Sequence, residues 1–201
     1  MITKFISKLK TPLTCSLLVS AFSFIAFLGK AQTQYHFASN KMVIEGTSNI
    51  HDWSMESSSA TGSAVITTNP THSLTELANV NFSVPVETLK SEKSGLDKNA
   101  YKALKTDKFK SIAFNAVKTT ITPAGGNNYS IASAGRLTIS GVARDVTITA
   151  TGVMAADKSI AVRGAYKLKM TDYSVEPPSL MFGAIKTADE VTLRYDIVLK
   201  P

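Results

Sequence analysis

Regular alternation of apolar and polar residues runs through most of this chain and restricts it to a sheet structure. Between Val191 and Lys200, nearly every second side chain is apolar, and the pattern recurs over Ile160–Met170 and Val80–Val86. Successive side chains of a strand point to opposite faces, so these runs predict strands with one buried and one solvated face. Antiparallel sheets produce this pattern, whereas buried parallel sheets do not.

The number of such runs sets the predicted architecture. Turn-forming clusters at residues 123–127 and 156–158 separate neighbouring runs and favour hairpins. Long antiparallel strands joined by hairpins form a barrel or a sandwich, and a barrel of about eight strands either fills with side chains or encloses one small ligand. The predicted strands are Tyr35–Gly46 (bent or bulged), Trp53–Thr67, Leu74–Val86, Ser111–Ile121, Asn127–Ser140, Arg144–Ala155, Lys158–Thr171 and Glu190–Lys200.

Two segments interrupt the alternation. Ala100, Ala103 and Leu104 have the spacing of one helical face, which predicts a short helix over Asp97–Lys105, capped by its first residue. The stretch Asp172–Asp189 contains two adjacent prolines and predicts a long loop that packs over one end of the sheet.

The N-terminal segment has the composition of a secretory signal. Three lysines precede an apolar stretch over residues 13–28, and the small residues Gly29 and Ala31 follow it. We predict cleavage after Ala31, which makes residues 1–31 a signal peptide and leaves residues 32–201 as a single exported domain. The alternative is an uncleaved membrane anchor, for which the apolar stretch is somewhat short. No later stretch of the sequence has the composition of a transmembrane helix.

The positive net charge belongs largely to the signal segment. The chain has a net charge of +7, but four of its 22 basic residues precede Ala31, so the mature chain carries about +3. Its lysines and arginines form no dense run, and we therefore predict no nucleic-acid partner.

Metal and covalent chemistry find little support in the sequence. The only cysteine, Cys15, lies in the signal segment, so the mature chain has no disulfide or cysteine nucleophile. His36, His51 and His72 lack the spacing of metal ligands, and no Gly-x-Ser-x-Gly motif is present. We predict no metal, no other cofactor and no catalytic residue, although a Ser/His/Asp set assembled from distant positions stays open.

Three runs resemble motifs of the YceI-like family, the lipid- or polyisoprenoid-binding barrels of the bacterial periplasm. The run Gly135–Val146, GRLTISGVARDV, is similar to the strand–turn–strand signature of that family. The run Leu104–Phe114, LKTDKFKSIAF, resembles the segment that leads from the family's helix into a strand, with Lys110 where the family commonly has proline. Gly46–Trp53, GTSNIHDW, resembles the early segment that carries the family's histidine. Together the resemblance extends over nearly the whole mature chain.

The resemblance implies an all-β fold, a lipocalin-like extended eight-stranded antiparallel barrel with one short helix. It also implies a periplasmic, non-catalytic carrier that holds a long apolar ligand in the barrel, such as an isoprenoid, an isoprenoid quinone or a fatty-acyl lipid. The hydrophobic effect is consistent with such a carrier. Binding of a linear apolar ligand is favoured by about 25 cal/mol of free energy for each Å² removed from water, and it needs only an apolar channel.

Candidate ligand-binding residues follow from position and residue type. We expect His51 to meet a polar head group and Trp53 to line the mouth; the alternative is a structural pair that closes the barrel end. The remaining candidates are large apolar or aromatic residues on strand faces, near the helix or in the long loop, and each is also consistent with ordinary core packing: Phe82, Leu104, Phe114, Tyr173, Met181 and Phe182.

Two other functions remain open at this stage. An interaction protein would have a solid barrel and an exposed apolar patch near Pro177–Phe182. A lipid-modifying enzyme would have a reactive polar cluster around His51 inside a cavity. The sequence also leaves a homodimer open.

Overall fold

The computed structural model describes residues 31–201, apart from the side chains of residues 31, 180 and 181. The predicted signal peptide and its cleavage site therefore lie outside the described side chains. Within the described part, no helix is long and apolar enough to cross a membrane.

The alternating runs form a closed antiparallel barrel, as predicted. Eight strand positions complete the circle, because the first and last strands of the barrel pair with each other, and one further short strand lies outside it. The strands are β1 (Ala31–Ser48), β2 (Trp53–Ser57), β3 (Thr61–Thr68), β4 (Leu74–Pro85), β5 (Ser111–Pro123), β6 (Asn128–Ile139), β7 (Val142–Met154), β8 (Ile160–Lys169), β9 (Ser179–Leu180) and β10 (Ile185–Lys200).

The strand predicted over Trp53–Thr67 is two strands, because β1 changes partner along its length. The first residues of β1 pair with β3 and the later ones with β2, while β10 runs along the opposite edge. Asn40 lies at the change, where its side-chain amide donates to the carbonyl of Ala60 and accepts from the amide of Ala60. These bonds replace a strand partner where the chain turns between β2 and β3. The predicted bulge in β1 is confirmed by register shifts after Phe37 and Gly46.

One half of the barrel, called here the filled end, is packed with buried side chains. The hairpins β3–β4, β5–β6 and β7–β8 meet at this end. Its core consists of apolar and aromatic residues that are less than a tenth exposed: Tyr35, Ala64, Ile66, Leu74, Leu77, Tyr129, Ile131, Ile148, Met154, Ile160, Ile197 and Leu199. Because these side chains do not reach the other half, the two ends of the barrel can differ in packing.

The helix α1 (Ser94–Ala103) lies at the opposite end, between β4 and β5. It begins three residues earlier than predicted, and Asp97 is not its N-terminal cap. Asp97 instead accepts hydrogen bonds from the amide and hydroxyl of Ser91, 2.8 and 2.7 Å away, which fix the loop before the helix. These bonds lower the pKa of Asp97.

Candidate ligand-binding site

An internal cavity of about 410 Å³ occupies the half of the barrel beneath α1. Its walls are inward-facing side chains of the alternating strands, most of them aliphatic, thioether or aromatic. The wall residues are Met42, Ile44, Met55, Phe82, Val84, Ile112, Leu137, Ile139, Leu168, Val191 and Leu193. The alternation that built the strands therefore also makes this cavity apolar.

The helix closes the end of the cavity with its apolar face. Leu96, Ala100 and Ala103 line the cavity, whereas Lys98 and Lys102 on the opposite face are exposed. Spacings of three and four residues place these groups on their respective faces.

Side-chain hydrogen bonds hold the helix against the barrel. Tyr101 donates its hydroxyl to the carbonyl of Leu89 at 2.7 Å, which ties the last turn of α1 to the preceding loop. Ser140, in the β6–β7 turn, donates to the carbonyl of Leu104 just beyond the helix. Leu89 and Leu104 are themselves cavity-lining residues, so these bonds position part of the cavity wall.

The segment after β8 supplies the remaining side of the cavity. Tyr173, Val175, Pro178 and Ile185 line it. Residues 172–189 were predicted as one loop, but the strand β10 already begins at Ile185. The prediction that this segment packs over an end of the sheet is otherwise confirmed by these contacts.

The mouth of the cavity lies between α1, the β1–β2 turn and the start of β10. The exposed residues Ile50, His51 and Lys93 are among those that line the cavity, which identifies this region as its opening. The turn is fixed because Asn49 donates to the carbonyl of Ala184 and accepts from the amide of Lys186, at 2.8 and 2.9 Å.

Trp53 forms one wall of the mouth through a close contact with Gly46. The two residues are paired across β1 and β2, and the indole ring occupies the space that a Cβ atom at residue 46 would need. The Nε1 atom donates to the carbonyl of Thr47 at 3.2 Å. Glycine at this position therefore allows the indole to lie flat against the strand.

Five of the predicted binding residues meet at this cavity. His51 and Trp53 line the mouth, Phe82 the wall, and Leu104 and Tyr173 the closed side. His51 is exposed, with its Nδ1 atom 2.9 Å from the carbonyl oxygen of Asp52.

The other three predicted residues do not contribute to the lining that the structure describes. Phe114 is 2% exposed and is paired with Phe82 across β4 and β5, with ring centroids 5.5 Å apart, so it packs beside Phe82 without lining the cavity. Phe182 is fully exposed, in a turn whose backbone there is left-handed. The side chain of Met181 lies outside the described part.

Several lining residues were missed by the sequence analysis. Met42 lies on β1, Met55 lies on β2 opposite Ile44, and Leu89 lies in the loop before α1. The alternation in β1 marks Met42 and Ile44 as inward-facing, which was a usable signal. No comparable pattern marks Leu89, because its position depends on the fold of a loop.

The cavity offers few groups for chemistry. Its ionisable lining residues are His51 and Lys93 at the mouth and Tyr173 inside, and burial raises the pKa of Tyr173 to about 12. No carboxylate lines this cavity within residues 31–201, and no cluster of potential metal ligands occurs among the residues described. The cavity can therefore desolvate an apolar chain but presents no evident acid–base pair.

A polar groove adjoins the mouth on the outside of the barrel. It shares His51, Trp53 and Lys93 with the cavity and continues past Asp52 and Glu92. An amphiphile with its chain in the cavity would have its polar end in this groove.

Comparison with known proteins bears on the fold and the family. A family model described as YceI-like domain matches residues 28–199. The crystal structure of Burkholderia cenocepacia BcnA aligns with a TM-score of 0.59 at 18% identity, covering 81% of this chain and 96% of that one. A polyisoprenoid binding domain from Saccharophagus degradans, implicated in plant cell wall breakdown, aligns with a TM-score of 0.60 at 10% identity, covering 83% and 97%. Comparison with curated proteins finds no significant match.

Proposed function

The chain belongs to the YceI-like family, and from that membership we propose that its barrel is a non-catalytic carrier for a long apolar ligand. The ligand class is an isoprenoid, an isoprenoid quinone or a fatty-acyl lipid. The observation that carries the proposal is the apolar cavity of about 410 Å³ beneath α1. A solved relative in fold is described as a polyisoprenoid binding domain, which is consistent with this class.

The size of the cavity limits how much of the ligand it encloses. A protein cavity of about 150 Å³ lined by apolar side chains binds one benzene molecule, so each carbon atom takes about 25 Å³. At that packing, 410 Å³ holds about 16 carbon atoms. Three isoprene units or a palmitoyl chain would fit, and a longer chain would extend through the mouth into the adjoining groove.

The YceI-like family is generally periplasmic. Together with the signal-like composition of residues 1–31, this supports a periplasmic carrier that is exported and cleaved after Ala31, with residues 32–201 as the mature domain. Such a carrier would take a water-insoluble ligand through an aqueous compartment, where its chain would otherwise be exposed to water.

The non-catalytic assignment rests on the lining. His51 is the only histidine at the cavity within the described residues, and it has no carboxylate partner on the lining. General acid–base or nucleophilic catalysis needs a second positioned group. We therefore assign His51 and Trp53 to the polar end of the ligand, and Phe82, Leu104 and Tyr173 to its apolar chain.

Native mass spectrometry of the purified protein, followed by organic extraction, tests the proposal. We expect a stoichiometric lipid, and uptake of a fluorescent fatty acid or isoprenoid probe after delipidation. An empty protein that takes up neither probe would contradict the carrier function. Loss of a group from the probe on incubation would instead indicate an enzyme.

A pair of adjacent substitutions locates the binding site. Leu168→Gln places an amide on the cavity wall, and Lys169→Gln places the same amide on the outer face of β8. We expect the first to weaken probe binding about tenfold or more, because an unpaired amide in an apolar site is costly. The second should leave binding unchanged. Equal effects of the two substitutions would mean that the probe binds outside the cavity.

A further inference from the structure

We propose that the end of the barrel around the cavity mouth docks on an anionic lipid bilayer, from which the ligand passes directly into the cavity. This surface, called here the mouth face, consists of the outer face of α1, the turn Ser48–Trp53 and residues 174–187. The inference rests on the carrier function proposed above, but it concerns a different surface and is tested separately.

Exposed apolar side chains on the mouth face are the first observation. Ile50 is 59% exposed and Phe182 is fully exposed, and both belong to segments that border the opening. The hydrogen bonds of Asn49 to Ala184 and Lys186 join these two segments, so the two side chains lie on the same end of the barrel. Large apolar groups at a polar-rimmed opening are typical of surfaces that meet a membrane or a partner.

The positive charge around α1 indicates that the partner of the mouth face is an anionic bilayer. Seven lysines and three acidic residues lie between residues 90 and 110, which contains α1, although the predicted mature chain as a whole is close to neutral. Lys98 and Lys102 project from the exposed face of the helix. A cluster of lysines beside exposed apolar groups has the composition of an interfacial anchor for anionic lipid.

Three of the seven lysines are engaged within the fold. Lys110 forms an ion pair with Glu87, Lys105 donates to the carbonyl of Ser174, and Lys90 lies over the ring of Tyr101. The other ion pairs that residues 31–201 form involve cations outside residues 90–110. Lys98 and Lys102 take part in none of these pairs, so they remain available for lipid phosphates.

Acidic residues on the mouth face reduce this attraction without cancelling it. Asp52, Glu92 and Glu176 are exposed there. Asp97 is buried and is held by hydrogen bonds from Ser91, so it contributes little to the outer surface. The excess of lysines over exposed acidic residues on the mouth face favours an anionic partner. Because the cavity opens on the same face, a partner that contains the ligand is favoured.

Vesicle flotation tests the docking. The wild-type protein should bind vesicles of mixed phosphatidylcholine and phosphatidylglycerol, and bind pure phosphatidylcholine vesicles much less. Raising the salt from about 0.1 M to about 1 M should release it, because the screening length falls from about 10 Å to about 3 Å. The inference would be overturned if the wild-type protein did not float with the mixed vesicles.

Matched substitutions identify the docking surface. Removing a lysine near an anionic surface weakens binding about fivefold, so the charge reversal Lys98→Glu with Lys102→Glu should weaken it at least about 25-fold. Phe182→Ser should weaken it about tenfold, because the exposed phenyl ring that would be buried in the bilayer is lost. The control, Val117→Ser with Lys118→Glu, removes one exposed apolar side chain and reverses one exposed lysine charge on the wall of β5. Equal losses in the control and in the mouth-face variants would contradict the inference.

Probe uptake without vesicles separates this inference from the carrier function. The variant Lys98→Glu with Lys102→Glu should bind a fluorescent fatty acid in solution as tightly as the wild type, and should take it from anionic vesicles more slowly. Wild-type transfer rates in that variant would overturn the docking while leaving the carrier function intact. Failure of the wild type to bind the probe in solution would overturn the carrier function and the passage of ligand into the cavity. Flotation would then still decide the docking, because it does not depend on ligand binding.

Discussion

Replacing Ala100 with phenylalanine should shorten the chain that the cavity accepts. Ala100 lies on the inner face of α1, lines the cavity and is partly buried. A phenyl group at this position points into the space beneath the helix. The affected quantity is therefore the ligand chain length beyond which affinity stops rising.

The magnitude follows from the volumes. A phenyl ring fills about one benzene-sized space of about 150 Å³, which leaves about 260 of the 410 Å³ and room for about 10 carbon atoms instead of about 16. Each methylene removed from water contributes about 0.8 kcal/mol. The six carbons of a palmitoyl chain that no longer fit would thus weaken its binding by up to about 5 kcal/mol, or more than a thousandfold.

A series of saturated fatty acids provides the assay. Their affinities are measured by displacement of a fluorescent probe, with chain lengths from about 8 to about 18 carbons so that the series brackets both calculated limits. We expect the affinity of the wild type to rise up to about 16 carbons, and that of Ala100→Phe to stop rising near 10 carbons. Ala100→Leu, which adds three carbons, should give a limit near 13 carbons.

Ala165→Phe is the matched control, because Ala165 is exposed on the outer face of β8. It should reproduce the wild-type profile. The reasoning is refuted if Ala100→Phe and the wild type stop at the same chain length while both remain folded. It is also refuted if the wild type shows no limit, because the ligand then does not occupy the described cavity.

Two further predictions concern stability. Phe114→Ala should reduce the free energy of unfolding in urea by about 3 to 5 kcal/mol, because its ring is buried against Phe82; Val117→Ala, exposed on the same strand, should change it by less than about 0.5 kcal/mol. Burial raises the pKa of Tyr195 to about 12, above the ordinary value of 10.0, so its neutral hydroxyl stabilises the fold fully below pH 10 and progressively less as the pH rises towards 12. Tyr195→Phe should reduce the loss of stability at alkaline pH and leave the part that Tyr173 contributes, whose pKa burial also raises to about 12. An unchanged profile of unfolding free energy against pH would contradict the assignment.

The barrel was predictable because its signal is local. Each alternating run specifies its own inward face. The strands β4 to β8 begin and end within two residues of the prediction, whereas β1 and β10 begin four and five residues earlier than predicted. The break between β2 and β3 was not predictable from alternation. It depends on Asn40, about twenty residues away in sequence, which binds Ala60 at the turn. The helix was found by its apolar spacing, whereas its start was wrong because the carboxylate of Asp97 binds Ser91 rather than the first helical amides.

The candidate site was predictable only where residue type and position coincide. Trp53 and Phe82 combine a large ring with an inward strand position, and both line the cavity. Phe114 has the same two properties and is paired with Phe82 across β4 and β5, but its ring is packed in the core beside Phe82 and does not line the cavity. The division of the barrel into a filled end and a cavity is likewise a property of the three-dimensional packing. It depends on which side chains meet across the barrel, and no single strand encodes that.

In the cavity half of the barrel, the wall between β7 and β8 lacks a continuous ladder of backbone hydrogen bonds. The paired residues of β7 and β8 are 150–154 and 160–164, and within the described chain the ladder between them stops there. At that point the hydroxyl of Tyr195 donates to the carbonyl of Thr149 at 2.6 Å, in place of the next strand partner. Beyond it β8 continues to Leu168, a cavity-lining residue. A seam closed by side chains can widen at lower cost than a continuous ladder, so the wall between β7 and β8 is where the barrel can adapt to a ligand wider than a single linear chain.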